Sequence, residues 1–305
     1  MYFDSLCPPS IGHNRHMSEM MLNLVHISDL HFGKPYIARV GEALHDTILR
    51  MSPDVLVIGG DLTQRAKPCE FQAARHFLDR LAGMPHVVVP GNHDVPLYRV
   101  WERLCQPYEL YHRYIQDELN TVLRLDHAVI VGLDSTKPYR AIKNGRLSRA
   151  QLNWCADIFA AVSPEVYRIV ALHHHLAPVP DYDHTSLMPK GKRALEFFTD
   201  LKVDLILSGH LHRAYVANSL DVYAGAKRDY GIILVQCGTS TSRRGRARER
   251  EKNSFNWLQL TEQSIRVVHY MYFSQQDRFA PTSQHEFARP NRGYLQRGVM
   301  PTLAE

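Results

Sequence analysis

Short apolar runs recur along the chain and predict a set of buried β-strands. Each run has four to six residues, is rich in Val, Ile and Leu, and is bounded by Gly, Asp or His. Nearly continuous apolar runs of this length are typical of strands that are covered on both faces, whereas half-exposed strands alternate apolar with polar positions. The runs are Leu22–Ile27, Val55–Ile58, His86–Val89, Ala128–Leu133, Arg168–Leu172, Val203–Leu207 and Ile232–Gln236.

Longer segments with helical spacing lie between these runs. Apolar residues recur every three or four positions in Ile37–Met51, Glu70–Leu81 and Arg149–Val162. Ser148 is a suitable N-cap for the third segment. Strands that alternate with helices predict an α/β domain built from layers of sheet and helix.

The two ends of the chain differ from this alternating pattern. Ser254–Leu260 and Ser264–Phe273 are separated by a short turn and predict an antiparallel hairpin. From Ser274 onward Gln, Pro, Arg and Ser are frequent, and no element is predicted. We therefore expect one domain over residues 21–273, a disordered N-terminal extension over residues 1–20, and a tail or arm over residues 274–305.

The composition is that of a globular protein with a mild excess of positive charge. Hydrophobic residues make up 45% of the 305 residues, and 36 Lys and Arg against 31 Asp and Glu give a formal net charge of +5. This charge suits an anionic substrate, and it leaves nucleic acid open without favouring it. The basic run Arg243–Lys252 could bind phosphate, nucleic acid or anionic lipid, but a solvated loop of mixed charge is the simpler interpretation.

Cysteine usage and hydropathy bear on the compartment. The five cysteines are scattered and form no Cys-x-x-Cys motif. A disulfide framework is therefore not expected, and a reducing compartment, the cytoplasm, is predicted. No run approaches the ~20 apolar residues that a membrane helix requires. The sequence leaves the formation of homo-oligomers open.

Side chains that bind metal ions follow five of the predicted strands. In open α/β sheets, sites form outside the carboxyl ends of the strands, which is where these residues fall. Taken singly, Asp29 could equally be a helix N-cap, Asn92 a turn residue, and His210 or His212 a satisfied or exposed histidine. So many of these residues at successive strand ends nevertheless predict a metal site. They are Asp29, His31, Asp61, Asn92, a member of the cluster His173–His175, His210 and His212.

The number and type of these ligands indicate two ions. Seven ligands are too many for one ion, and two-metal hydrolases hold their ions ~3.5–4 Å apart. Imidazole and carboxylate without thiolate favour Mn, Fe, Zn or Co over a structural zinc site. We therefore expect two divalent or mixed-valence ions, which would lower the pKa of a bridging water.

The order of these motifs resembles that of the calcineurin-like metallophosphoesterase family. Within it, the chain looks like the bacterial class III cyclic nucleotide phosphodiesterases. The resemblance spans roughly residues 23–238 and rests on five ordered blocks, which together are far more specific than one motif. The blocks are Asp29-x-His31, Gly60-Asp61, Gly91-Asn92-His93-Asp94, the histidine cluster with His174, and Gly209-His210-x-His212.

The resemblance implies an α/β fold, a β-sandwich flanked by helices in α/β/β/α layers. It also implies that Asp29, His31, Asp61 and His212 hold one ion, and that Asp61, Asn92, His174 and His210 hold the other. His93 resembles the family's histidine beside the phosphate, with Asp94 as its orienting partner. Leu176 stands where the family often has proline, so His173 and His175 remain open as alternatives to His174.

The resemblance implies a dinuclear phosphoesterase that hydrolyses phosphodiesters, with cyclic nucleotides as candidate substrates. His93, if protonated, could stabilise charge in the transition state or protonate the leaving group. His175, Arg65 and Arg140 are weaker candidates for substrate contacts. Three rivals share the metal centre: a phosphomonoesterase, a nucleotide-sugar lipid pyrophosphatase and a nuclease. A fourth is a non-catalytic interaction protein that kept the fold.

Overall fold

A computed structural model describes residues 21–139, 144–179, 187–223, 230–245 and 252–290. Twelve strands and seven helices are formed within these ranges. The strands are β1 (Met21–Ile27), β2 (Val55–Ile58), β3 (His86–Val88), β4 (Thr121–Arg124), β5 (Ala128–Leu133), β6 (Tyr167–Leu172), β7 (Leu205–Ser208), β8 (Tyr215–Asn218), β9 (Ile233–Gln236), β10 (Ser254–Thr261), β11 (Ser264–Phe273) and β12 (Arg278–Ala288). The helices are α1 (Ala38–Met51), α2 (Pro68–Asp79), α3 (Val100–Cys105), α4 (Glu109–Tyr114), α5 (Arg149–Ala160), α6 (Gly191–Asp200) and α7 (Ser219–Val222).

The strands form two six-stranded mixed sheets. The order in the first sheet is β12-β11-β10-β1-β2-β3, and in the second it is β4-β5-β6-β7-β9-β8. Strands β1, β2 and β3 are parallel to one another, as are β5, β6, β7 and β9. The carboxyl ends of β1, β2 and β3 therefore meet at one edge of the first sheet, and those of β6 and β7 meet at one edge of the second.

Three apolar clusters separate four layers. In β1, Leu24 points into a cluster between the two sheets, whereas Val25 points into a cluster shared with α1 and α2. In β6, Ile169 and Val170 divide in the same way between the inter-sheet cluster and the one under α5 and α6. Successive side chains of a strand point to opposite faces, and one of the clusters covers each face of these strands. The predicted β-sandwich flanked by helices, in α/β/β/α layers, is confirmed.

The predicted strands and helices agree with the structure, but the prediction for the segment after Ser274 does not. Each predicted strand and helix is present within a few residues of its predicted bounds. Ser148 caps α5, with the Gln151 N–H donating to its Oγ at 3.2 Å. The prediction that no element follows Ser274 is wrong, because β12 pairs with β11 along its whole length. Most of its residues are exposed, so the strand lacks the apolar run that marks the others.

Two further findings concern the described residues alone. None of the helices found there is long and apolar enough to cross a membrane. Their four cysteines, Cys69, Cys105, Cys155 and Cys237, are free thiols. Residues 1–20, for which an extension was expected, lie outside the described ranges.

Candidate metal centre

Strand ends of both sheets deliver the candidate ligands to one place. Asp29, Asp61 and Asn92 follow β1, β2 and β3 of the first sheet, within four residues of the end of each strand. His173 and His210 follow β6 and β7 of the second sheet. The centre therefore lies across the junction of the two sheets.

The first group of potential ligands consists of Asp29, His31, Asp61 and His212. All four are buried, and one ligand atom of each lies within 4.8 Å of the others. His212 Nε2 lies 3.0 Å from Asp29 Oδ1 and 3.1 Å from His31 Nε2. His212 Nδ1 must donate to the Arg244 carbonyl at 2.6 Å, since a carbonyl only accepts. In neutral His212 the Nε2 lone pair therefore faces the group, as a metal ligand requires.

The second group consists of His173, His174 and His210. Asn92 Oδ1 lies 2.9 Å from His210 Nδ1 and 3.2 Å from His173 Nε2, which are 3.3 Å from each other. His173 Nδ1 donates to the Gly59 carbonyl at 2.7 Å, so the lone pair of neutral His173 also faces inward.

Asp61 lies between the two groups. Its Oδ2 is 3.6 Å from His31 Nε2 in the first group, and its Oδ1 is 3.5 Å from His173 Nε2 in the second. One carboxylate thus presents an oxygen to each group.

Two histidines of the cluster after β6, His173 and His174, lie in the second group, so the choice between them stays a prediction. His173, rather than the predicted His174, has the short distances to Asp61 and Asn92 given above. The ring of His174 instead hydrogen-bonds Ser135 Oγ through Nδ1 at 2.9 Å, and its ring centroid lies 4.6 Å from that of His210. His175 is buried with its ring stacked on His210 at 6.0 Å, and burial lowers the pKa of His175 to about 4.

His93 and Asp94 occupy a 3₁₀ turn, and their side chains hydrogen-bond different partners. His93 Nδ1 donates to the Gln64 carbonyl at 2.8 Å, so this carbonyl orients the ring. The Asp94 carboxylate accepts from the backbone N–H groups of Leu62, Thr63 and Gly91 at 2.8–3.2 Å. The ring of His93 is thus oriented by the Gln64 carbonyl, and the orienting role expected of Asp94 stays a prediction. Asp94 ties the Asp61 loop to the Asn92 loop.

Left-handed backbone is concentrated at the candidate ligands. The φ angles are 54° at Asp29, 51° at His31, 51° at Asp61, 77° at His210 and 55° at His212. Such a conformation costs an L-residue about 1–2 kcal/mol, and it is found where surrounding structure enforces it. Backbone hydrogen bonds enforce it here: Asp29 N–H donates to the Gly60 carbonyl at 3.0 Å, and His31 N–H to the Asp61 carbonyl at 2.9 Å.

Two glycines permit the loops to approach closely. A Cβ at Gly91 would lie 2.2 Å from the Asp61 backbone nitrogen, and a Cβ at Gly209 would lie 2.0 Å from Ser28 Oγ. Any side chain at either position would push a ligand loop away from the centre.

Burial and mutual charge set the protonation of the centre. Burial alone would raise the pKa of Asp29 and Asp61, but the imidazoles of His212 and His173 hold both pKa values well below their usual range. Burial lowers the pKa of His31 to about 3. Burial also opposes protonation of His173, but Asp61 outweighs it and raises the pKa of His173 to about 9. The anionic carboxylates, together with imidazoles that give up an inward proton when an ion binds, form a donor set suited to cations.

Of the other two weaker substrate candidates, Arg65 lies at the surface and Arg140 lies outside the described residues. The exposed Arg65 guanidinium stacks on the Tyr98 ring at 4.4 Å. Arg140 falls within residues 140–143, which the structure does not describe.

Sequence reasoning missed Arg244, which contacts two residues of the site. Its carbonyl accepts from His212, and its guanidinium Nη1 lies 2.9 Å from His93 Nε2. The signal was available, because Arg244 follows the carboxyl end of β9 as the ligands follow other strands. The mixed charge of the surrounding run favoured a solvated loop instead.

The fold and the position of this site are those of a metallophosphoesterase. The chain belongs to the calcineurin-like phosphoesterase family, whose family model matches residues 22–214. Membership of this hydrolase family was predicted from the motifs and is confirmed.

Curated relatives support a narrower comparison. A probable cyclic nucleotide phosphodiesterase of Synechococcus sp. is 30% identical over 65% of this chain and 76% of its own length. A cAMP/cGMP dual specificity phosphodiesterase of Mycobacterium tuberculosis is 30% identical over 62% of this chain and 61% of its own length. The matched region thus spans three fifths to three quarters of these two relatives.

Solved structures share the architecture at low sequence identity. A purple acid phosphatase from yellow lupin seeds has a TM-score of 0.67 at 13% identity, covering 94% of this chain and 58% of that one. A dimetal phosphatase from Danio rerio has a TM-score of 0.60 at 14% identity, covering 88% and 99%. At this identity the likeness concerns the fold alone.

Proposed function

We propose that the chain is a dinuclear metal-dependent phosphodiesterase that hydrolyses small, nucleotide-like phosphodiesters. The observation that carries the proposal is the position of Asp61, whose two carboxylate oxygens face two separate groups of inward-pointing imidazoles. A single carboxylate shared in this way suits a pair of adjacent cations.

The ligand sets follow from the distances in each group. Asp29, His31, Asp61 and His212 would hold one ion. Asp61, Asn92, His173 and His210 would hold the other, with His173 in place of the predicted His174.

A donor–acceptor argument supports metal ions over a hydrogen-bond network. His31 Nε2 and His212 Nε2 lie 3.1 Å apart, and the lone pair of His212 already points inward. The same His212 Nε2 lies 3.0 Å from the buried Asp29 Oδ1, which is also an acceptor, so no proton of neutral His212 joins these two atoms. Buried polar atoms are costly unless they are satisfied. A cation would satisfy the carboxylates and imidazoles together.

Two bound divalent ions would supply an activated water and neutralise charge on the phosphoryl oxygens. The nitrogen and oxygen donors suit Mn, Fe, Zn or Co. The chain's own residues would position the substrate: the Gln64 carbonyl holds the ring of His93 at the edge of the centre, with ring centroids of His93 and His31 5.0 Å apart. His93 is thereby placed to contact a phosphoryl or leaving-group oxygen.

Hydrolysis of bis(p-nitrophenyl) phosphate with added Mn²⁺ tests the proposal. Asp61→Asn should lower kcat/KM by about a hundredfold or more, because it removes the shared anion of the centre. Asp126→Asn, an exposed carboxylate between β4 and β5, is the matched control and should retain activity. Equal turnover by wild type and Asp61→Asn would refute the proposal.

Metal content distinguishes the two histidine assignments. His173→Ala should bind about one ion fewer per chain than wild type after dialysis, whereas His174→Ala should keep both. The reverse result would restore the original register.

A substrate panel addresses the class of ester. We expect kcat/KM to be higher for 3′,5′-cyclic AMP than for p-nitrophenyl phosphate or a short DNA. This choice is supported by the names of the bacterial relatives. A preference for the monoester or the DNA would instead favour the phosphatase or nuclease alternative.

A further inference from the structure

Arg244 is held rigidly beside the metal centre by the loop that precedes it. Thr239 Oγ1 donates to the Asp29 carbonyl at 2.7 Å, and Thr241 Oγ1 donates to the Leu30 carbonyl at 2.8 Å. Both threonines are fully buried. The backbone at Arg244 is thus fixed to the first ligand loop, and its carbonyl receives the His212 hydrogen bond described above.

The guanidinium of Arg244 extends from this anchor across the site to His93. Nη1 lies 2.9 Å from His93 Nε2 and 3.0 Å from Gln64 Oε1. Nη1 also lies 3.4 Å from His93 Nδ1, so the guanidinium lies over the face of the His93 ring and not along the Nε2 lone pair. A guanidinium can only donate, and the acceptor of this Nη1 is Gln64 Oε1.

This pairing brings a permanent positive charge to the edge of the centre. The ring of His93 packs edge-on against His31, and its backbone N–H donates to Asp61 Oδ1 at 2.8 Å. The Arg244 guanidinium therefore lies beside a residue that contacts two candidate ligands, His31 and Asp61. Guanidinium binds phosphate through a planar fork of donors, and such charged hydrogen bonds are about twice as strong as neutral ones.

We propose that Arg244 binds the phosphoryl group of the substrate through its guanidinium, and that Gln64 and the face of the His93 ring hold this guanidinium before the substrate arrives. The inference rests on the proposed function. An anionic phosphoryl oxygen is a stronger acceptor than a neutral amide oxygen, so the guanidinium transfers its donor from Gln64 Oε1 to the phosphate.

The test uses the full chain loaded with Mn²⁺ and the variants Arg244→Ala and Arg244→Lys. Arg243→Ala is the matched control, since Arg243 is the exposed neighbour with the same charge. Metal content, the affinity for inorganic phosphate by isothermal titration, and kcat and KM for bis(p-nitrophenyl) phosphate are measured on each.

Arg244→Ala should weaken phosphate binding about tenfold or more and lower kcat/KM about a hundredfold. Arg244→Lys should keep part of the affinity, because it keeps the charge but not the fork. Added guanidinium ion should restore part of the activity of Arg244→Ala. Metal content should stay at the wild-type value, since the carbonyl and not the side chain contacts His212.

Wild-type phosphate affinity in Arg244→Ala would overturn the proposal. So would a loss of metal that accounts for the lost phosphate binding, because Arg244 would then act through His212. If wild type binds phosphate through Arg244 but hydrolyses no phosphodiester, the proposed function fails and this inference stands.

Discussion

At the scale of single residues, neighbours in the sequence have separate tasks. His93 and Asp94 are adjacent, yet one ring faces the cleft and the other side chain binds backbone N–H groups behind it. The three histidines after β6 diverge in the same way. The sequence predicted the residue types of the candidate centre, because strand ends and glycines mark them, and the structure brings these residues together. It could not decide which histidine faces inward, since that depends on the residue at which β6 ends.

Asp94→Asn should therefore lower the stability of the fold, because the Asp94 carboxylate joins two loops through backbone N–H groups. A residue that only oriented His93 would have little effect on stability. The carboxamide can accept through one oxygen only, and its NH₂ group faces backbone donors. We expect the free energy of unfolding to fall by about 1–3 kcal/mol, measured by urea denaturation. His93→Ala is the comparison, and it should lose proportionally more kcat than stability. Wild-type stability of Asp94→Asn together with a His93-like loss of kcat would restore the orienting role.

At the scale of elements, strand β12 is followed by a long-range ion pair that the local sequence pattern does not predict. It is an edge strand of the first sheet, but Arg289, just beyond its end, reaches the second sheet. The fully buried guanidinium lies 3.3 Å from Asp204 and 3.8 Å above the Tyr167 ring, and it donates to the Glu165 carbonyl. This ion pair joins residues 85 positions apart. The polar sequence after Ser274 therefore gave no reason to expect a strand.

Arg289→Met should destabilise the protein strongly. It leaves Asp204 buried without its cation, and breaking such a pair typically costs about 3–5 kcal/mol. The double variant Arg289→Met/Asp204→Asn should regain part of this loss. Arg278→Met, at the exposed start of the same strand, should change the urea midpoint little. A small effect of Arg289→Met would show that Asp204 finds another partner or takes up a proton.

At the scale of the whole molecule, the candidate centre joins the two sheets. Asp29, Asp61 and Asn92 belong to the first, and His173 and His210 belong to the second. The layered fold was predictable because strands that are buried on both faces have nearly continuous apolar sequences. These sequences do not indicate how the two sheets face each other, and that arrangement was implied only by the family resemblance.

Metal binding should therefore stabilise the entire fold. Ions that bind only the native state add stability as their concentration rises, by about 2.7 kcal/mol at a hundred times the dissociation constant. We expect the Tm of chelator-treated protein to increase with added Mn²⁺. Asp61→Asn should largely lose this dependence, whereas Asp126→Asn should keep it. A Tm independent of Mn²⁺ in wild type would contradict a centre shared by the sheets.

The left-handed backbone of the ligand residues affects how such a chain can drift during evolution. Glycine adopts this conformation freely, whereas aspartate and histidine are strained in it. Replacing a ligand by glycine would thus relax the loop while removing the metal donor. Descent towards an inert protein of the same architecture would therefore remove backbone strain, and it would also remove the stability that bound metal ions add.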